Sequence, residues 1–203
     1  MGNRAIIKAD GSPVAIYLHW NGGRDSVEAF LKYCELRGDR APEYDGYGWA
    51  RLCQVIGNFF GGTLSIGLLS GEASGEYCDN GAYVIQNWKI VRREDFEGEE
   101  QQNYDLLDML LDIDEAQPEP ERLGKDFLES AEVTTDTLNI GDMVYVRDLR
   151  EQWNLERVIG FGNGIVNGHD VTGVPYVDRF GNGNPERNIN NYIRTETIRK
   201  KTA

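Results

Sequence analysis

"RAIIKADGSPVAIYLHWNGGRDSVEAF" runs from Arg4 to Phe30, and its reading decides how the chain starts to fold. Apolar and polar residues alternate on both sides of Asp10-Gly11-Ser12-Pro13, a cluster of turn formers, so a β-hairpin is expected. Gly22-Gly23 follow, with glycine's freedom to take positive φ, and Asp25 then stands where a helix N-cap belongs, with Glu28 three residues on as a capping-box partner. Val27, Phe30, Leu31 and Cys34 recur at helical spacing until Gly38, a natural helix stop.

Working outward, Pro42 to Gly48 reads as a loop, and Trp49, Leu52, Cys53, Ile56 and Phe60 form one face of a second helix that ends at Gly61-Gly62. "LSIGLLSG" and "AYVIQNWKIVRR" read as two more strands, with Asn80-Gly81 as a type I′ turn before the second. Their connection, Gly71 to Asp79, is rich in Gly and Ser and reads as a mobile loop. The order β-β-α-α-β-β predicts an α+β domain over residues 1–94, an antiparallel sheet with helices on one face.

The charge is not spread evenly. The net charge is −13, and residues 95–136 hold 15 Asp and Glu against 2 Lys and Arg, whereas the segments before and after are nearly balanced. Within this stretch "NYDLLDMLLDIDEAQ", residues 103–117, predicts an amphipathic helix capped by Asn103, with Tyr104, Leu107, Leu110 and Leu111 as its apolar stripe. "PEPERLG" ends it, and the chain to about Asp136 reads as a linker. From residue 137, "NIGDMVYVRDL", "WNLERVIGFGNGIVNG" and "VPYVDRF" predict a small SH3-like β-barrel domain over 137–203, finished by the basic tail "RTETIRKK".

Three cysteines at irregular spacing give no disulfide framework. With no secretory h-region and no apolar run of about 18 residues, a cytoplasmic protein without membrane association is expected. Cys34 and Cys53 fall on apolar helix faces, so a Cys-His nucleophile reduces to Cys78 with His19. No CxxC or HxxxH occurs, so no metal or other cofactor is expected. Asp105, Asp108 and Asp112, on one side of a helix, offer magnesium a carboxylate-only alternative. The glycines of "GFGNGIVNG" lack the Lys-Ser/Thr of a phosphate-binding loop and read as turns.

Two surfaces for macromolecules remain. Asp95, Glu97, Glu99, Glu100, Asp105, Asp108, Asp112, Asp114 and Glu115 recur along the acidic segment. On a helix, neighbouring outer carboxylates stand roughly 5–6 Å apart, close to phosphate spacing along a nucleic-acid strand. Such a surface repels nucleic acid and attracts the basic clefts that bind it. Alternatively, Arg194, Arg199, Lys200 and Lys201, with Tyr176, Phe180 and Tyr192 for stacking, give the C-terminal unit a nucleic-acid-binding role.

"YLHWNGGRDSVEAFLKYC", "YGWARLCQVIGNFFGG", "CDNGAYVIQNW" and "VTGVPYVDRFGNGNPERNINNYIR" together resemble uncharacterised acidic proteins carried by phages, plasmids and conjugative elements of gut bacteria. The resemblance implies a mobile-element setting, in which anti-CRISPR and anti-restriction inhibitors of host defence nucleases are frequent. It transfers no residue roles. The expected partner is a basic nucleic-acid-binding protein such as a host defence nuclease.

Overall fold

The computed structural model describes residues 2–61, 65–100, 102–147, 153–166, 169–179, 193 and 197–202. The chain is a mixed α+β protein in two compact units, Met1–Leu123 and Gly124–Ala203. The acidic helix therefore belongs to the first unit rather than to a segment between domains.

In the first unit β1 (Ala5–Lys8) and β2 (Val14–Leu18) form the expected hairpin, α1 (Arg24–Arg37) and α2 (Gly46–Phe59) follow, and β3 (Ile66–Ser70), β4 (Ala82–Gln86), β5 (Lys89–Glu94) and α3 (Leu106–Ala116) complete it. The sheet order is β3-β2-β1-β4-β5. The expectation of a purely antiparallel sheet is corrected at its centre, where β4 lies parallel to β1 with Ile7 beside Tyr83. The chain reaches β4 only after passing through β2, both helices and β3, and that long excursion lets it re-enter the sheet in β1's own direction.

Strand alternation sorts the side chains. Ile7, Ile16, Leu18 and Tyr83, all fully buried, share the face that α1 and α2 cover with Val27, Phe30, Leu31, Leu52 and Ile56. Burying each of these large groups contributes about 1.5–3 kcal/mol. Ile6, Ala15 and Ala82 sit on the opposite face beneath Tyr17, Ala73 and Cys78. The connection from Gly71 to Asp79 is thus a cover for the sheet, not a loose loop. It is pinned by Gly75 N–H to the Asp95 carboxylate (2.8 Å) and by Asp79 to the Arg4 guanidinium (2.9 Å).

Several local expectations change. Gly23 is the N-cap of α1, without a side-chain cap, while Asp25 lies in the first turn and Glu28 pairs with Arg24 at 2.7 Å. The positive φ before α1 belongs to Asn21 and not to the Gly22-Gly23 pair. "AYVIQNWKIVRR" is two strands, not one. The mirror-image turn that joins them is Asn87-Trp88, with φ of 49° and 61°; before β4 a turn does precede the strand, with Gly81 N–H donated to Cys78 C=O, but only Gly81 and not Asn80 has positive φ, so it is not of type I′. A tryptophan rarely takes this conformation. Here burial of the ring, and an indole N–H donated to Asp39 C=O at 2.8 Å, offset the strain.

The second unit holds α4 (Lys125–Leu128), β6 (Ala131–Thr134), β7 (Met143–Arg147), β8 (Trp153–Val166), β9 (His169–Val177) and β10 (Thr197–Lys200). Its sheet has the strand order β6-β10-β7-β8-β9, with no closed barrel among the described residues. β8 gives its first residues, Trp153 to Arg157, to β7 and its remainder to β9. The core here is Leu138, Val144, Val158, Val177, Ile193 and Ile198. The stretch read as linker up to Asp136 contains α4 and β6, both part of this unit.

Candidate functional site

The acidic segment is built onto the first unit in steps. Arg93 stacks its guanidinium over Tyr83 (4.5 Å) and Phe96 (3.3 Å) and ion-pairs with Glu100 (2.5 Å). Asp95 accepts from Ser74 Oγ and Gly75 N. The Asp25 carboxylate then accepts the Asn103 and Tyr104 N–H groups, fixing the approach to α3. Asp105, not Asn103, caps α3, by accepting from Leu107 N (2.8 Å) and Asp108 N (3.3 Å).

The buried side of α3 also differs from the expected stripe. Met109, Leu110, Ile113 and Asp114 face inward, while Tyr104 and Leu107 are exposed. Asp114 is 5% exposed and accepts the Tyr33 O–H and the Leu123 N–H, each at 2.7 Å. Burial, followed by this bond to Asp114, pushes the Tyr33 phenol far above its ordinary value. The buried Gln117 side chain donates to Val55 C=O and Ile113 C=O. Asp114 is therefore removed from the partner-facing set, because its carboxylate is spent inside the unit.

What remains outward is a coherent group. Glu97, Glu99, Asp108, Asp112 and Glu115 are exposed and form no ion pair among the described residues. Asp108, Asp112 and Glu115, at i, i+4 and i+7, share one side of α3. Between residues 95 and 123 the sequence contains one basic residue, Arg122. Its guanidinium goes to the backbone carbonyls of Gln117 (2.8 Å) and Glu115 (2.6 Å), so it closes the C-terminal end of α3 and leaves the outer carboxylates unmatched. Exposed Tyr104, Leu106 and Leu107 adjoin them. Chemically, the surface can hold cations and apolar groups together on a backbone fixed at both ends.

The alternatives do not assemble. His19 Nδ1 is taken by Tyr17 Oη at 2.9 Å, its ring meets Trp20 edge-on, and no hydrogen bond joins it to Cys78. Burial raises the Cys78 thiol, the opposite of what activates a nucleophile. Asp105 is occupied as a cap, and no group of three or more His, Cys, Asp or Glu among the described residues could hold a metal. The glycines read as turns in "GFGNGIVNG" are strand residues up to Gly164; Gly160 lies under the Tyr176 ring, where a Cβ would stand 2.2 Å from the hydroxyl.

The described part of the basic tail contains strand β10, and the charges of Arg199, Lys200 and Lys201 are in use. Arg199 donates to the carbonyls of Phe127, Leu128 and Ser130 at the end of α4, and burial lowers its pKa. Lys200 pairs with Asp142 (2.8 Å) and Lys201 with Asp126 (2.7 Å). Tyr176 is buried, which removes it as a stacking platform. Arg194, Phe180 and Tyr192 lie outside the described residues. No helix of the described residues is long and apolar enough to cross a membrane.

The sequence reading missed Tyr33, Gln117, Arg122 and Arg93 as the residues that position this surface. The one available signal was the phase of Met109, Leu110 and Ile113, which points Asp114 and Gln117 inward. Comparison with known proteins finds no matching family model, no matching curated protein and no matching solved structure.

Proposed function

We propose that the protein is a non-enzymatic, cytoplasmic interaction protein that presents the outer face of α3 to the basic cleft of a nucleic-acid-handling partner. The observation that carries this reading is the set of unmatched carboxylates, Asp108, Asp112 and Glu115 on a helix whose ends and inner face are locked, with Glu97 and Glu99 on the segment that leads into it. A rigid acidic array loses little conformational freedom on binding and steers a basic partner at long range. In the mobile-element setting that the sequence resembles, the partner is a host defence nuclease and the outcome is inhibition of the anti-CRISPR or anti-restriction kind. The experiment is competition. A partner captured by the protein from nuclease-treated bacterial lysate is to be challenged with duplex DNA and with RNA. Displacement by either supports occupation of a nucleic-acid cleft, and a complex indifferent to both opposes it.

A further inference from the structure

The two edges of the first sheet are built differently. β5 carries Lys89, Arg92, Arg93 and Glu94, and its pairing with β4 is interrupted by a register shift at Val84/Ile85, both common defences against edge-to-edge association. β3, "IGLLS", has no charge, no proline and no register shift, and its neighbour β2, "VAIYL", has no charge either. Leu68 is 67% exposed and Leu69 39% exposed at this edge.

The backbone parity of β3 is fixed at both ends. Ser65 C=O accepts from His19 N–H at 2.9 Å, and Gly71 N–H donates to Pro13 C=O at 3.0 Å. In an antiparallel ladder such bonds alternate, so residues 65, 67, 69 and 71 turn toward β2, and Ile66 and Leu68 turn their N–H and C=O groups outward, as Ser70 does its N–H; the Ser70 C=O already accepts from Ala73 N–H at 2.9 Å. A two-fold axis through Leu68 pairs Leu68 with its own copy and Ile66 with the copy's Ser70. Leu68 then exchanges both of its backbone hydrogen bonds with its own copy, and each Ser70 N–H reaches the copy's Ile66 C=O. The same register sets Leu69 opposite the copy's Gly67 in the closer, non-hydrogen-bonded positions, a large residue against a small one.

We propose that β3 is a self-association edge, and that two copies of this chain pair antiparallel through Ile66–Ser70 to make one continuous ten-stranded sheet. The occupant is a second copy because the strand complements itself in register, and because the missing charge on β2 and β3 spares two strongly acidic chains any repulsion at the seam. The axis is perpendicular to the sheet, so both helical layers lie on the same side.

The test is sedimentation equilibrium of the full chain up to about 500 µM, with Leu68→Lys and Leu68→Pro alongside. The introduced lysine would face its own copy, two like charges directly opposite, and the introduced proline removes an outward N–H without touching the β2 ladder. The wild type is expected to reach twice its 22.9 kDa mass. Both variants are expected to lose the dimer, with unchanged far-ultraviolet circular dichroism. A wild type that stays single-chain at the highest concentration, or a dimer that survives both substitutions, overturns the proposal.

Discussion

Replacing Asp114 by alanine is the most demanding perturbation of how the acidic surface is held. Asp114 joins α3 to α1 through Tyr33 O–H and to the chain beyond α3 through Leu123 N–H, each at 2.7 Å, inside a region where Tyr33 is fully buried. Hydrogen bonds to a charged group contribute about 1.5–3 kcal/mol each, and the substitution leaves the buried Tyr33 O–H and the half-buried Leu123 N–H without this acceptor. A loss of about 3–5 kcal/mol follows, a large share of the roughly 5–15 kcal/mol that holds a typical domain. With a urea slope of about 1–3 kcal/mol/M, the midpoint falls by about 2 M. Trp20, Trp49 and Trp88 report this unit in a fluorescence melt. Tyr33→Phe removes only the hydroxyl and is expected to cost about 1–2 kcal/mol. The double variant should be less damaging than the sum by about 1–2 kcal/mol, because the two groups share one bond. An Asp114→Ala loss below about 0.5 kcal/mol, or strict additivity, would refute the reasoning.

Four further substitutions test the structure elsewhere. Gly57 lies within α2 and nothing stands within 4 Å of where its Cβ would be, so Gly57→Ala is expected to raise stability by about 0.5–1 kcal/mol in a urea melt. Gly48→Ala in the same helix should lower it, since the new Cβ would meet Arg40 C=O at 2.5 Å. Arg199→Ala removes the donors at the end of α4, and the second unit should lose about 2–3 kcal/mol, read by hydrogen exchange at Phe127 to Ser130; unchanged protection there would contradict the capping role. The hydrogen bond from Arg4 holds the Asp79 carboxyl down to about 2, against an ordinary value of 3.8. Its stabilisation is complete above the ordinary value and lost as pH falls through about 2, so Asp79→Asn should flatten the acid limb between about pH 4 and 2. An unchanged limb in that variant would argue against the ion pair.

The parts legible in sequence were those in which local pattern and tertiary structure agree. The alternation around Asp10-Gly11-Ser12-Pro13 gave the hairpin, and the spacing of Trp49, Leu52 and Ile56 gave the buried face of α2. The Asn87-Trp88 turn was hidden because its positive φ values depend on Asp39 and Glu43, some 45 residues earlier, and not on turn-forming residue types. The phase of α3 was misjudged for a similar reason. Asp114 and Gln117 look like surface residues until Tyr33 and Val55 are known to receive them. Four of the nine acidic candidates, Asp95, Glu100, Asp105 and Asp114, turned out to hold the segment in place, and only the remaining five are free of such bonds among the described residues. Likewise, the basic run Arg199-Lys200-Lys201 reads as a nucleic-acid tail only while its partners in α4 and at Asp142 are out of sight.

The most direct test of the central claim is charge reversal at Asp108, Asp112 and Glu115, the outward carboxylates of α3 that carry no structural bond among the described residues. Tagged wild type and the triple lysine variant are to be used side by side to capture proteins from nuclease-treated bacterial lysate at low and moderate salt. The account predicts that the wild type retains a basic nucleic-acid-binding protein that elutes as salt rises, and that the variant, folded by circular dichroism, retains none. Equal capture by the two proteins would contradict it.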